Sequence, residues 1–171
     1  VECTPLPIKT RAKVFHEGID MHVPSIRRIP PECLSPSVKS HNYLNLVLAD
    51  LEVQDKGPNA WAILLDTRGF LCEGIGCNLF LVRNGCLLTP RSQYVLAGVS
   101  RQTVIELAEK LDIPVIEDDL LPYDALNADE AFITSTSFCI CPARSFNGKV
   151  IGDSPLPGPI PSKLQQAFAE E

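Results

Sequence analysis

Three short stretches of this sequence carry residues suited to chemistry. Lys39 is the only Lys or Arg between Arg28 and Lys56, and it lies among Val38, Tyr43 and Leu44. An amine held near apolar groups and another cationic centre can lose its proton and attack a carbonyl. The second stretch is Glu73-Gly74-Ile75-Gly76-Cys77-Asn78-Leu79-Phe80, where Leu71, Cys72, Ile75 and Cys77 predict partial burial of the carboxylate. A buried carboxylate needs a cationic or hydrogen-bonded partner. A protonated ring nitrogen is one such partner and an arginine another; either pair at ~4 Å is worth ~4 kcal/mol before desolvation, at an effective dielectric of ~20. The third is Leu96-Ala97-Gly98-Val99-Ser100-Arg101. Gly98 permits close backbone approach, and Ser100 is expected to cap a helix whose free N–H groups suit a phosphate. Thr134-Ser135-Thr136-Ser137 adds hydroxyls after an apolar run, either as further phosphate donors or as turn residues bonded to their own backbone.

The elements that must position these residues follow from periodicity. Residues 19–29 read as extended, with Pro24 marking an edge or kink and Pro30-Pro31 ending the element. Leu44, Val47, Leu48 and Leu51 fall at helical spacing and predict an amphipathic helix over residues 37–54, with Lys39 in its first turn. Strands are expected at 61–65, 70–72, 78–83 and 86–89, the last two joined by the hairpin signal Asn84-Gly85. Val104, Leu107, Ala108 and Leu111 predict a second helix beginning near Ser100. Strands at 114–117, 131–136, 138–145 and 149–151 follow, with a second hairpin turn at Asn147-Gly148. A Pro-rich loop over 154–161 precedes a short final helix on Leu164, Ala167 and Phe168. The expected fold class is α+β, a mixed, largely antiparallel sheet with packed helices.

A lysine that forms an imine, a carboxylate facing a ring nitrogen and a phosphate cup are together the handles a protein needs on pyridoxal phosphate. The order of Glu73, Asn78-Leu79-Phe80, Leu87, Thr89, Leu96, Gly98-Val99 and Arg101 resembles the signature of the class IV aminotransferases, pyridoxal-phosphate enzymes of fold type IV. Upstream, Lys39-Ser40-His41-Asn42-Tyr43 looks like the segment that bears their Schiff-base lysine. Downstream, Asp129-Glu130-Ala131-Phe132, Thr134-Ser135-Thr136 and Gly158-Pro159 continue the resemblance, which runs from about residue 15 to the C-terminus.

The resemblance implies a role for each residue. Lys39 forms the Schiff base and shuttles the proton between the substrate Cα and the cofactor C4′. Glu73 pairs with the pyridine nitrogen and Leu96 packs on the ring face. Val99 (through its backbone), Ser100 and Thr136 bind the phosphate. Tyr43 matches the tyrosine that contacts the ring hydroxyl in branched-chain enzymes. Here it stands one residue closer to the lysine, as in the D-amino-acid aminotransferase and aminodeoxychorismate lyase branches, where another residue occupies the position.

Members of the family carry a smaller N-terminal domain that supplies a phosphate-binding arginine and much of the substrate pocket. Residues 1–18 therefore read as a remnant of the interdomain region, and residues 1–171 as a PLP-binding large domain. Related enzymes are homodimers, and a homodimer is expected. The implied activity moves an amino group between an amino acid or amine and a 2-oxo acid. Arg27-Arg28-Ile29-Pro30-Pro31 is similar to the corresponding stretch of (R)-selective amine transaminases, with branched-chain and D-amino-acid enzymes also open. A lyase of the aminodeoxychorismate type is the alternative enzyme, and a non-catalytic assembly domain the alternative outside catalysis.

Composition narrows the remaining classes. An apolar share of 45% and a charged share of 21% describe an ordinary globular domain. The net charge is −6 with the two signs interspersed, so no basic stripe predicts nucleic-acid binding. No apolar run approaches the ~20 residues of a membrane span, and residues 1–8 lack the pattern of a signal peptide. Seven cysteines fit no disulfide framework and are expected as small core hydrophobes of a cytoplasmic protein. Cys139 and Cys141 are too close for the usual zinc pair, so no metal site is expected.

Overall fold

The computed structural model describes residue 5 and residues 12–170; most of the stretch read as an interdomain remnant, and residues 1–8 apart from residue 5, lie outside them. A short helix α1 (Val14–Glu17) leads into β1 (Ile19–His22), and a long irregular segment then reaches α2 (Leu44–Val53). Strands β2 (Ala60–Ala62), β3 (Glu73–Gly74), β4 (Cys77–Arg83) and β5 (Cys86–Pro90) precede α3 (Val99–Lys110). The chain continues through β6 (Val115–Asp118), α4 (Pro122–Leu126), β7 (Glu130–Ser135), β8 (Cys139–Phe146) and β9 (Lys149–Val150) to α5 (Pro159–Glu170).

One sheet runs in the order β2-β1-β8-β7-β4-β5-β6, with β3 paired to β4 and β9 to β8. The pairs β1/β2, β1/β8 and β5/β6 are parallel and the rest antiparallel, so the sheet is mixed and largely antiparallel, as expected. Both asparagine–glycine pairs make the predicted two-residue hairpin turns. Asn84 and Gly85 have φ of 51° and 75°, and Asn147 and Gly148 of 48° and 81°. Positive φ at both central residues matches the right-handed twist of the flanking strands.

The central strands are covered on both faces, which is why β4 and β7 read as nearly continuous apolar runs. Leu79, Leu81, Ala131 and Ile133 turn to one face, with Met21, Ile63 and Phe146. Phe80, Val82 and Phe132 turn to the other, beneath Val104, Leu107 and Ala108 of α3 and Leu164 of α5. Phe80 and Phe132 are register partners with ring centroids 5.0 Å apart. Each fully buried aromatic contributes roughly 1.5–3 kcal/mol of burial, and this pair fixes the β4–β7 register that sets the floor of the site.

The largest departure concerns the first long helix. It begins at Leu44, so Lys39 lies in the loop before it rather than in its first turn. The apolar repeat also points the wrong way. Leu44, Val47, Leu48 and Leu51 are all exposed, whereas Leu46, Ala49 and Val53 bury against Ala62 and Leu64. Two apolar stripes share this helix, and sequence spacing alone favoured the outer one. Ser100 is the second residue of α3 rather than its cap; Gly98 occupies the cap, with φ −68° and ψ 143°. Of the extended segment at 19–29, only Ile19–His22 is a strand, because Pro24 cannot donate to a ladder. The cysteines divide: Cys72, Cys77 and Cys141 are buried as expected, but Cys33 and Cys139 are exposed.

Candidate active site

The stretches singled out by chemistry converge on one cleft of about 210 Å³. Lys39, Tyr43, Glu73, Leu96, Val99, Ser100 and Thr136 all line it. Its floor is the start of β4 and the end of β7, where Asn78 and Thr134 are register partners. One wall is the β3–β4 hairpin and another the loop 96–98 with the first turn of α3. The loop 36–43 closes a third side.

The hairpin explains how a carboxylate comes to be buried here. Glu73 faces Asn78 across a two-residue turn, Ile75-Gly76, in which Gly76 has φ of 67°. Gly74 is required for a different reason: a Cβ there would fall 2.5 Å from the Ala62 carbonyl oxygen. Glu73 Oε2 accepts the Leu96 N–H at 2.9 Å, and Asn78 Nδ2 donates to the Leu96 carbonyl at 2.8 Å. Leu96 is thus pinned through both its peptide groups. The carboxylate and the helix entrance therefore hold a fixed relative position, set by two buried side chains that both bond the Leu96 backbone.

Glu73 has a protein partner that the sequence left open. Arg28 Nε donates to Glu73 Oε1 at 2.9 Å, with the two side chains only 10% and 6% exposed. Burial pushes the Glu73 carboxyl above its ordinary value, while the Arg28 charge and the Leu96 N–H pull it back. Arg28 also lines the cleft, so the arginine pairing and the cleft-facing carboxylate coexist instead of excluding one another. The signal for Arg28 lay in a basic pair inside an otherwise apolar, proline-bounded stretch.

The entrance of α3 is built for an anion. It has no side-chain cap and no acidic residue in its first turn. The first N–H groups of a helix lack intrahelical partners, and the dipole favours negative charge there. A Cβ on Gly98 would collide with Asn78 Oδ1, so glycine is what lets the loop sit against the strand. Val99 is 81% exposed, which leaves its side chain without a packing role and its peptide N–H at the helix start. Ser100 is buried, and Ser135 and Thr136 approach from the end of β7. The Thr134 hydroxyl, buried on the same floor, has no hydrogen-bond partner among the described residues.

Lys39 is exposed in the loop, and Tyr43 is half-buried at the N-terminal edge of α2. His41 between them adopts φ of 62° and stacks on Tyr43 with rings 2° from parallel. Amine, carboxylate, phenol and uncapped helix share one cleft, with Lys39 exposed, Tyr43 half-buried and Glu73 buried. Sequence reasoning missed Arg28 and Asn78 as working parts of the site, the first because its partner was 45 residues away, the second because its amide bonds backbone.

Comparison with known proteins shows the family of the chain. A putative branched-chain-amino-acid aminotransferase of Methanocaldococcus jannaschii is 43% identical over 155 residues, which is 90% of this chain and 53% of that protein. The solved branched-chain amino acid aminotransferase of Escherichia coli superposes with a TM-score of 0.88 at 36% identity, covering 93% of this chain and 52% of the other. The branched-chain amino acid aminotransferase of Thermobaculum terrenum, solved in its PLP-form, gives a TM-score of 0.84 at 34% identity, covering 89% of this chain and 50% of the other. The chain thus spans about half the length of the relatives it matches. Residues 4–146 match the family described as amino-transferase class IV, and the chain belongs to that family.

Proposed function

We propose that this chain is the cofactor-binding large domain of a pyridoxal-phosphate-dependent aminotransferase, acting between an amino acid or amine and a 2-oxo acid. The observation that carries the reading is the single cleft that gathers Lys39, Glu73 and the uncapped start of α3. The donor set fits the cofactor: an amine for its aldehyde, a carboxylate for its ring N–H⁺, and helix N–H groups with hydroxyls for its phosphate. The unpartnered Thr134 hydroxyl on the floor fits a polar ligand better than an apolar one. Relatives named as branched-chain-amino-acid aminotransferases favour a branched apolar amino acid as donor.

Bound pyridoxal phosphate supplies an aldehyde that condenses with amines and a ring that withdraws electrons from the substrate carbon. In this reading Lys39 Nζ is the point of attachment, and once released it holds the proton moved between the substrate carbon and the cofactor. Glu73 keeps the ring nitrogen protonated through its cleft-facing carboxylate. Leu96, held by its backbone, would supply an apolar contact for the ring face. The Val99 peptide N–H, Ser100 and Thr136 would hold the phosphate, and Tyr43 would bond the ring hydroxyl. In this reading the rest of the substrate pocket comes from a further N-terminal domain, in keeping with relatives about twice the length of this chain. A homodimer is the proposed assembly, supported by the outward face of α2, where Leu44 is 69% and Leu51 53% exposed beside the lysine loop. A reducing compartment suits Cys72, Cys77 and Cys141, which are buried as free thiols, and the cytoplasm is the proposed location.

The test is an absorbance scan of the purified protein on addition of pyridoxal phosphate. A visible imine band that a Lys39→Ala variant lacks is the expected result. An identical spectrum from that variant would remove Lys39 from the chemistry.

A further inference from the structure

Arg28 stands outside every role assigned above, yet it is the group most closely coupled to the carboxylate on which the ring site depends. It follows β1 by a few residues and is fixed at its backbone, where its N–H donates to the Leu65 carbonyl at 2.8 Å. Its Nε–H reaches Glu73 Oε1 while the Leu96 N–H reaches Oε2, so each carboxylate oxygen accepts one hydrogen bond from the protein. Neither contact asks the carboxyl to donate. An ionised carboxylate has about four acceptor positions, which leaves room for one more N–H donor from the cleft.

We propose that Arg28 is a positioning residue for the ring-nitrogen site: it holds Glu73 ionised and aligned before any ligand arrives, so that the proton on the ring nitrogen is taken up with the ligand instead of being supplied by Glu73. The inference rests on the pyridoxal-phosphate reading.

Among the groups around Glu73, Arg28 is the one whose charge opposes protonation. Cys72 precedes it and Cys77 lies on β4, and burial pushes both thiols up to about 12, so both are neutral in the working range. Asp66, the next acid, is held by Arg68 at 2.8 Å. Lys39 and Tyr43 share the cleft from the loop side but make no hydrogen bond to the carboxylate. Burial acts on Glu73 to raise it, and the Arg28 charge is the largest influence opposing that. Removing Arg28 takes away the opposing charge and the donor to Oε1 while keeping the burial, so the proposal expects the empty cleft of a neutral variant to hold Glu73 protonated. A protonated Glu73 and a bare ring nitrogen carry between them the same single proton as a carboxylate and a pyridinium. The loaded states then match in proton count, and the empty states differ by one.

Linkage turns that difference into a measurement. Pyridoxal phosphate binding is followed from pH 6.5 to 9 by spectral titration, and by calorimetry in buffers of different ionisation enthalpy. The proteins compared are the wild type, Arg28→Lys, Arg28→Gln and Arg28→Met. Ionisations of the free ligand are common to all four and cancel in the comparison. The expected result is that the wild type takes up about one more proton per ligand than either neutral variant, so its affinity falls more steeply with pH by up to about tenfold per unit. Arg28→Lys, which keeps the charge without the guanidinium fork, groups with the wild type in proton uptake. Two neutral variants are included so that failure of one to fold leaves the other as the test. Equal uptake by the wild type and a folded neutral variant would overturn the role of Arg28 and leave the cofactor reading standing. No binding by the wild type at any pH would overturn both.

Discussion

Replacing Gly98 by alanine tests whether the hairpin and the helix entrance are one rigid unit. The backbone at Gly98, φ −68° and ψ 143°, is open to any residue, so alanine brings no conformational strain. In an empty site the substitution would even stabilise by roughly 0.4–1 kcal/mol, by restricting the unfolded chain. Here the new methyl lands on Asn78 Oδ1, with the next contact outside that side chain, Arg101 Cβ, at a comfortable 3.9 Å. The carboxamide of Asn78 must turn, and turning it breaks the 2.8 Å bond to the Leu96 carbonyl. That loss is worth roughly 0.5–1.5 kcal/mol, and leaving a buried amide unsatisfied adds to it. Overpacking of this kind commonly costs about 1–3 kcal/mol. A net loss of about 2–3 kcal/mol corresponds to a Tm decrease of about 4–12 °C in a chain of this size. The decisive measurement is a double-mutant cycle with Asn78→Ala. Asn78→Ala alone loses the hydrogen bond, although the Leu96 carbonyl still accepts from the Gly98 N–H at 2.8 Å. In that background the methyl at position 98 has nothing to strike, so the double variant should be more stable than the sum of the singles by at least about 1 kcal/mol. Additive losses would show that the two residues do not meet, and the argument for a rigid loop would fall with them.

Other outcomes follow from the same geometry. Glu73→Gln should still bind pyridoxal phosphate but slow the amino-donor half-reaction severely in stopped-flow absorbance, since the ring loses its fixed proton; unchanged half-reaction rates would take Glu73 out of the mechanism. Ser100→Ala and Thr136→Val should each weaken cofactor affinity by roughly 10–100-fold, the loss of one hydrogen bond to a charged group, with turnover at saturation little changed. A drop in saturating turnover with intact affinity would reassign both hydroxyls. Asp20 on β1 is partly buried, which pulls its carboxyl up, but hydrogen bonds from Arg144 and Ser145 and the Arg144 charge outweigh burial and hold it below the ordinary value. Its stabilising contribution is therefore present above pH ~4 and lost as pH falls through the lowered folded-state value. Asp20→Asn should lower Tm at pH 7 and match the wild type in strong acid, and a difference that persists there would mean its effect is steric.

How much of this was legible in the sequence depends on whether a feature is local. The hairpins at Asn84-Gly85 and Asn147-Gly148, the α3 stripe and the strands β4 and β7 are written in adjacent residues, and each lies where spacing put it to within a residue or so. The cleft-lining set was legible because the family's order of residues is itself local, even though strands far apart supply it. What failed was orientation. Spacing finds an apolar stripe but cannot say what covers it, and in α2 the stronger stripe faces outward. Arg28 was hidden for a related reason: a basic side chain in an extended segment looks solvated until the chain folds its partner, Glu73, against it. The Ser100 cap was expected on residue type, but Gly98 took the position because nothing with a Cβ fits beside Asn78.

Under the proposed function, the distribution of hydrogen bonds divides the site into a part that would recognise the ligand and a part that would react with it. Glu73, Asn78, Leu96 and Gly98 form a closed set in which strand, hairpin and helix entrance each hold the next. Side chains on strands backed by such contacts keep their positions closely, which is what holding a ring and a phosphate at once demands. The lysine loop is tied differently. Val38 N–H bonds Ser35, Ser40 N–H bonds Val38, and Tyr43 N–H bonds His41. These bonds reach only two or three residues along the chain, and none of them links the loop to the sheet. An amine that must join a ligand, let it go and carry a proton in between needs freedom that a strand would deny it. Local opening is least costly where hydrogen bonds are short-range and exposed. Placing Lys39 five residues before α2, and not inside its first turn, is therefore consistent with the chemistry proposed for it: the sheet fixes where the ligand lies, and the loop leaves the amine free to change partners.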